Sequence, residues 1–128
     1  MIYFRFVHPA GWAQFKERIF YKSPALIKLI GGVYLSKKVT RRLKGGGVIG
    51  RLSVDELLRR AKTDLDTLSE FLSNKPYFFG EKISILDAIF LGVYGGIACV
   101  GIETPLKELA DTYDNLKNHA LKLLEIYY

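Results

Sequence analysis

The chain has 128 residues, which suits one compact domain, and is 49% hydrophobic and 25% charged, the balance of a soluble globular protein. Its one cysteine excludes an internal disulfide and fits a reducing, cytoplasmic setting, and "MIYFRFVHPAGW" lacks the basic start and apolar run of a secretory signal. The net charge of +6 is uneven: residues 1–36 carry +4, residues 37–60 carry +6 and residues 61–128 carry −4, so a basic front would attract anionic partners.

Helical periodicity dominates the chain, and strand and hairpin signals are scarce. The segment before Pro9 reads as the end of a helix, because a residue preceding proline disfavours helical backbone. Trp12, Phe15, Ile19 and Phe20 then fall at helical spacing within a helix from about Ala10 to Tyr21. Ser23-Pro24 predicts an N-cap followed by proline at the first helical position, opening a helix that runs to about Leu43. "KGGGVIG" at 44–50 ends it as an interhelical loop. Ser53-Val54-Asp55-Glu56 has capping-box spacing, with Ser53 and Glu56 exchanging bonds across the first turn. Leu57, Leu58, Ala61, Leu65, Leu68, Phe71 and Leu72 make the apolar stripe of the helix that follows, from 54 to about 73. The aromatics of "NKPYFFGEK" are expected to pack onto the core. A short helix starts near Pro105, and a last one spans roughly Asn115 to Tyr127 with Leu116, Ala120, Leu123, Leu124 and Tyr127 inward.

The most apolar stretch, "KISILDAIFLGVYGGIACVGI" at 82–102, contains a single carboxylate, Asp87. Ser84-Ile85-Leu86-Asp87 is a second capping motif: Ser84 at the N-cap accepts from the Asp87 backbone, and the Asp87 side chain returns the bond. The charge also meets the positive end of the helix dipole. The uncharged run from Ala88 to Ile102 covers roughly 22 Å, short of the ~30 Å hydrocarbon core of a bilayer. A helix apolar on every face is therefore expected at the centre of a bundle, from about 85 to 99, with Gly92 and Gly96 allowing close helix contact. No histidine or second carboxylate near Asp87 in sequence completes a catalytic site, so capping is its preferred role.

These motifs, taken in order, resemble a known family. "LSEFLSNKPYFFGEKISILDAIFLGVYGGI" is similar to the C-terminal helical domain of glutathione S-transferases, whose central buried helix opens with a Ser/Thr-x-x-Asp box where "SILD" stands here. "HPAGWAQF", "RRLKGGGVIGRLS", "DLDTLSEFLSNKPYFFGEKISILDA" and "ETPLKELADTYDNL" look like the failed-axon-connections and metaxin-related branch, over nearly the whole chain. The resemblance implies an all-α, glutathione S-transferase C-terminal-type bundle of about five to six helices, folded as a single helical domain over 1–128. The thioredoxin-like domain that binds glutathione in such proteins has no counterpart here, so the chain is expected to begin late in the first long helix of the helical domain. It implies no cofactor in this chain, with glutathione arriving only if a thioredoxin-like domain is supplied. It also implies a scaffold or interaction domain, non-catalytic alone, that works with a thioredoxin-like half or as a homo-oligomer.

Two groups of residues invite a site reading. Tyr3, Phe4, Phe6 and Trp12 would wall an acceptor-substrate pocket if the chain were half of an active transferase; ordinary core packing is the preferred reading. Lys37, Lys38, Arg41, Arg42, Lys44 and Arg51 form a basic run, and pairs four apart share a helix face. Such a face could bind an anionic membrane or nucleic acid, although a solvated or protein-paired face is preferred, because no stacking platform accompanies it. Cys99, within the apolar helix, is expected to be buried and inert. His8 and His119 have no evident ligand partners, so no catalytic or metal-binding residue is assigned.

Overall fold

The computed structural model describes residues 1–46 and 51–128. In order it comprises α1 (Ile2–Phe6), α2 (Pro9–Ile19), α3 (Ala25–Gly46), α4 (Val54–Leu72), α5 (Ile85–Phe90), a π-helical segment (Leu91–Gly95), α6 (Gly96–Ala98), α7 (Pro105–Asp111) and α8 (Asp114–Tyr127). Among the described residues there is no strand, only an isolated bridge between Tyr77 and Gly80, so the chain is all-α. With α5, the π segment and α6 counted as one continuous helix, the described residues hold seven helices, slightly more than the expected five to six.

Helix boundaries follow the local chemistry with two shifts. Pro24, not Ser23, precedes the first helical residue of α3, and its carbonyl accepts the Lys28 N–H at 3.0 Å. At the other end α3 runs past Leu43 through Gly45 to Gly46, because two glycines weaken a helix without forbidding it. The expected loop at 44–50 otherwise falls outside the described residues. Ser53 caps α4 through one of the two expected bonds: its Oγ accepts the Glu56 N–H at 3.2 Å. Ser73, at φ 49°, ends α4 in the left-handed region, and its N–H closes on the Ser69 carbonyl at 2.9 Å.

The contacts divide the chain into two compact units, Met1–Leu57 with Ile102–Thr104, and Leu58–Gly101 with Pro105–Tyr128. In the first, α1, α2 and α3 pack pairwise. α1 and α2 approach so closely that a Cβ on Gly11 would lie 1.8 Å from the Phe4 carbonyl oxygen. Phe6 stacks on Trp12 at 6.0 Å and meets Phe15 edge-on at 4.9 Å. The Ser36 hydroxyl donates to the Phe6 carbonyl at 3.1 Å, tying α3 to the end of α1. Gln14 on α2 holds the 102–104 segment through both Glu103 backbone groups, at 2.9 and 3.0 Å.

The second unit holds the main core: Leu65 and Leu72 of α4, Phe78, Phe90 and Tyr94 of the central helix, Ala110 of α7, and Leu116, Ala120 and Leu123 of α8. The buried Tyr94 hydroxyl donates to the Ala110 carbonyl at 2.9 Å. Asn115 joins α8 to α4 by accepting from the Ser69 hydroxyl at 2.9 Å and donating to the Ser69 carbonyl at 3.0 Å. In the connection after α4, Tyr77 and Gly80 exchange backbone bonds at 3.0 and 3.1 Å, with Gly80 at φ 108°. This tight turn points neighbouring aromatics apart. Phe78 is fully buried, Tyr77 packs against the core, and Phe79, expected inside, stays 68% exposed.

α5, the π segment and α6 run on as one central helix, the span expected at 85–99. It is not dry on every side. Phe90, Tyr94 and Gly95 are buried, while Ile85, Ile89 and Val93 are 78%, 57% and 54% exposed. Gly92 lies with them, and a Cβ there would meet nothing within 4 Å. The close contact expected at this glycine is therefore not made: the apolar sequence supplies two faces, and the residues packed around the helix cover one.

Candidate functional site

The most concentrated chemistry surrounds Asp87, which is 0% exposed. Ser84 sits at the N-cap of α5 with extended backbone, and both arms of the capping box form. Asp87 Oδ2 accepts the Ser84 N–H at 2.8 Å and the Ser84 hydroxyl at 2.6 Å. Its other oxygen, Oδ1, accepts the Phe78 N–H at 3.2 Å and lies 2.9 Å from Nε2 of His119, itself 5% exposed. One carboxylate thus ties a helix start, the 77–80 turn and α8 together. His119 is ringed by Phe78, Phe90 and Tyr77 at 5.3, 5.5 and 6.1 Å between ring centres.

The sequence offers no histidine near Asp87, but the fold brings one there from 32 positions away. The signal was present: His119 falls on the inward stripe of α8 between Leu116 and Leu123, and a polar ring on an apolar stripe needs a buried partner. Burial by itself would raise the Asp87 carboxyl, but the bonds from Ser84, Phe78 and His119 outweigh it and hold the group below the usual carboxylate range. Burial pushes the His119 imidazole below its ordinary value, and the pull of Asp87 offsets this only in part. At neutral pH the pair is therefore an ionised carboxylate accepting from a neutral imidazole. Sealed from solvent, it holds structure together and presents no reacting group.

Tyr3, Phe4, Phe6 and Trp12 all lie in α1 and α2, where they pack on one another and on Phe15; Tyr3 meets Phe4 edge-on at 5.4 Å. Lys37, Lys38, Arg41, Arg42 and Lys44 are exposed on the second half of α3. Ser36, Lys37, Thr40, Arg41, Lys44 and Gly45 line an open groove of about 550 Å³ there. Arg51, also exposed, reaches back to donate to the Lys44 carbonyl at 3.4 Å.

A larger apolar groove of about 650 Å³ lies in the second unit, between the central helix and the end of α8. Ala88, Leu91, Gly92 and Gly95 line one side, Leu124, Tyr127 and Tyr128 the other, with Cys99 and Val100 at one end. Tyr127, expected inward, is half exposed because the last turn of α8 lies along this groove and not in the core. Cys99 is exposed, not buried as expected, since the helix ends one residue before it. Its thiol is nevertheless raised, by the apolar side chains around it and by the Asp111 carboxylate. Among the described residues, no three His, Cys, Asp or Glu side chains cluster as a metal site requires, and no helix is long and apolar enough to cross a membrane.

Residues 61–123, from the first turns of α4 to the buried end of α8, match the family model described as "Glutathione S-transferase, C-terminal domain". Failed axon connections of Drosophila melanogaster is 33% identical over 87 residues, covering 66% of this chain and 21% of that protein. The chain thus spans about a fifth of the length of this curated relative. No solved structure gives a significant match.

Proposed function

We propose that the chain, whose residues 61–123 match the glutathione S-transferase C-terminal-domain model, is a non-catalytic interaction domain whose central helix docks against a second protein body. The observation that carries this reading is the exposed ridge of Ile85, Ile89 and Val93 beside the apolar groove of Leu91, Leu124 and Tyr127. Ridge and groove together form a continuous apolar surface of the kind that marks interaction sites. The first partner of choice is a thioredoxin-like half, which would also supply any glutathione site; a second copy of the chain is the other. A reducing, cytoplasmic setting suits both, given one cysteine and no disulfide.

The test is sedimentation of the full chain, alone and with a thioredoxin-like domain of a glutathione transferase, for the wild type and Ile89→Glu. A complex or a dimer that Ile89→Glu disperses supports docking through the ridge. A monomer indifferent to the added domain removes the proposal. Glutathione conjugation by the chain alone would overturn the non-catalytic part. Conjugation appearing only with the added domain, and lost in Trp12→Ala, would instead support the acceptor-pocket role of Tyr3, Phe4, Phe6 and Trp12.

A further inference from the structure

α3 is polarised along its length. Its first half exposes Leu26, Ile27, Leu29, Ile30, Val33 and Tyr34, each at least half open to solvent. Its second half exposes Lys37, Lys38, Arg41, Arg42 and Lys44. At 3.6 residues per turn, Leu26, Ile30, Val33, Lys37, Arg41 and Lys44 follow one line down the helix, so an apolar ridge continues directly into a cationic one. The inward side is fixed by the contacts of α1 and α2: Gly31 sits under Phe20, and Gly32 under Lys16 and Trp12. From Arg18 to Val54 the sequence contains no acidic residue.

We propose that this outer face of α3 is a membrane-surface site, specific for bilayers that carry anionic lipid. The apolar half would press into the boundary between headgroups and acyl chains while the basic half holds the lipid phosphates. Both halves are then satisfied by one partner, as in helices that lie in the interface plane. The groove among Ser36, Lys37, Thr40, Arg41 and Lys44 is an open, cation-lined recess at the level of the headgroups. Tyr34, at the junction, has the amphipathic ring favoured at that level, and the Lys38 ammonium lies 5.5 Å from its centre. The exposed apolar stretch from Leu26 to Tyr34 rises only ~13 Å, so the helix rests on the membrane and does not cross it. A second copy pairing α3 against α3 fits less well, since α3 has no acidic residue to meet the cations of its twin. Nucleic acid would answer the cations and leave the leucines and isoleucines in water.

The surface differs from that proposed for docking on the central helix, and its test is separate. The full chain is floated with vesicles of phosphatidylcholine plus phosphatidylserine, and with vesicles of phosphatidylcholine alone. Binding to the first, falling with salt and weak on the second, is expected. Lys37→Gln plus Arg41→Gln should lower partitioning about thirtyfold, the combined effect of two basic side chains at an anionic surface. Ile30→Ser should weaken it independently, and circular dichroism confirms that each variant keeps its helices. The proposal is overturned if neither variant loses binding, or if no vesicle binds. It is equally overturned if duplex DNA binds as tightly as the anionic vesicles and Ile30→Ser leaves that unchanged, or if Ile30→Ser only disperses a dimer.

Discussion

At the scale of single residues, Asp87 does more than close a helix. A cap alone is worth about 0.5–2 kcal/mol, but the structure also gives Asp87 a buried histidine and the backbone of the 77–80 turn. Removing it leaves His119 and the Phe78 N–H unpaired in the core, at about 1–3 kcal/mol on top of the cap, so Asp87→Ala should destabilise by about 2–5 kcal/mol, read from denaturant midpoints. The partnership also sets a pH dependence. The folded state holds His119 neutral, whereas the unfolded imidazole takes up a proton near its ordinary value. Stability is therefore full above about pH 6.5 and declines as pH falls below it, with Asp87 adding a further loss below about pH 4. His119→Gln should flatten the decline that sets in below about pH 6.5 while lowering stability at pH 7, as unfolding curves across pH would show. Gly11 is the steric counterpart. An alanine there would drive Cβ into the Phe4 carbonyl, so Gly11→Ala should destabilise by about 3 kcal/mol or more, visible as a lower melting temperature. The cap was legible because Ser-x-x-Asp spacing is a local device. The histidine was not, because pairing across 32 positions depends on how helices pack.

At the scale of elements, α4 and α8 follow their sequence patterns except near their ends, where Phe71 and Tyr127, both expected inward, are exposed; elsewhere periodic apolar stripes with polar flanks leave one arrangement available. The loop aromatics and the central helix do not. Adjacent Phe78 and Phe79 share a composition but are separated by the turn, which buries one and turns the other out to meet Phe71 at 5.8 Å. In the central helix the run from Ala88 to Ile102 is apolar on all sides, so its sequence does not say which side the neighbours cover. The exposed Gly92 makes the covered side testable. With open space at its Cβ, Gly92→Ala should stabilise the free chain by up to about 1 kcal/mol through helix propensity. If the ridge docks a partner, the same methyl should weaken the complex, a split read by melting temperature and binding titration.

At the scale of the whole molecule, charge and apolar surface are distributed unevenly. The acidic back half encloses the main core, while the basic front carries the most exposed apolar helix. So much uncovered apolar area implies modest stability for the chain alone and a gain when a partner binds. A ligand at about a hundred times its Kd should add about 2.7 kcal/mol, measurable as a raised denaturant midpoint for the domain-bound or vesicle-bound chain. The all-α class and family resemblance were readable because they rest on ordered motifs. Which surfaces remain open was not, since exposure depends on which residues pack over each face.

The π turn at Leu91–Gly95 has a consequence of a different kind. Such a turn accommodates one more backbone position than an α-turn needs. The central helix therefore has a place where chain length can change by a single codon: excising Gly92 would let the ladder close in ordinary α register, whereas a deletion between Ile85 and Phe90 would swing Asp87 off its four donors.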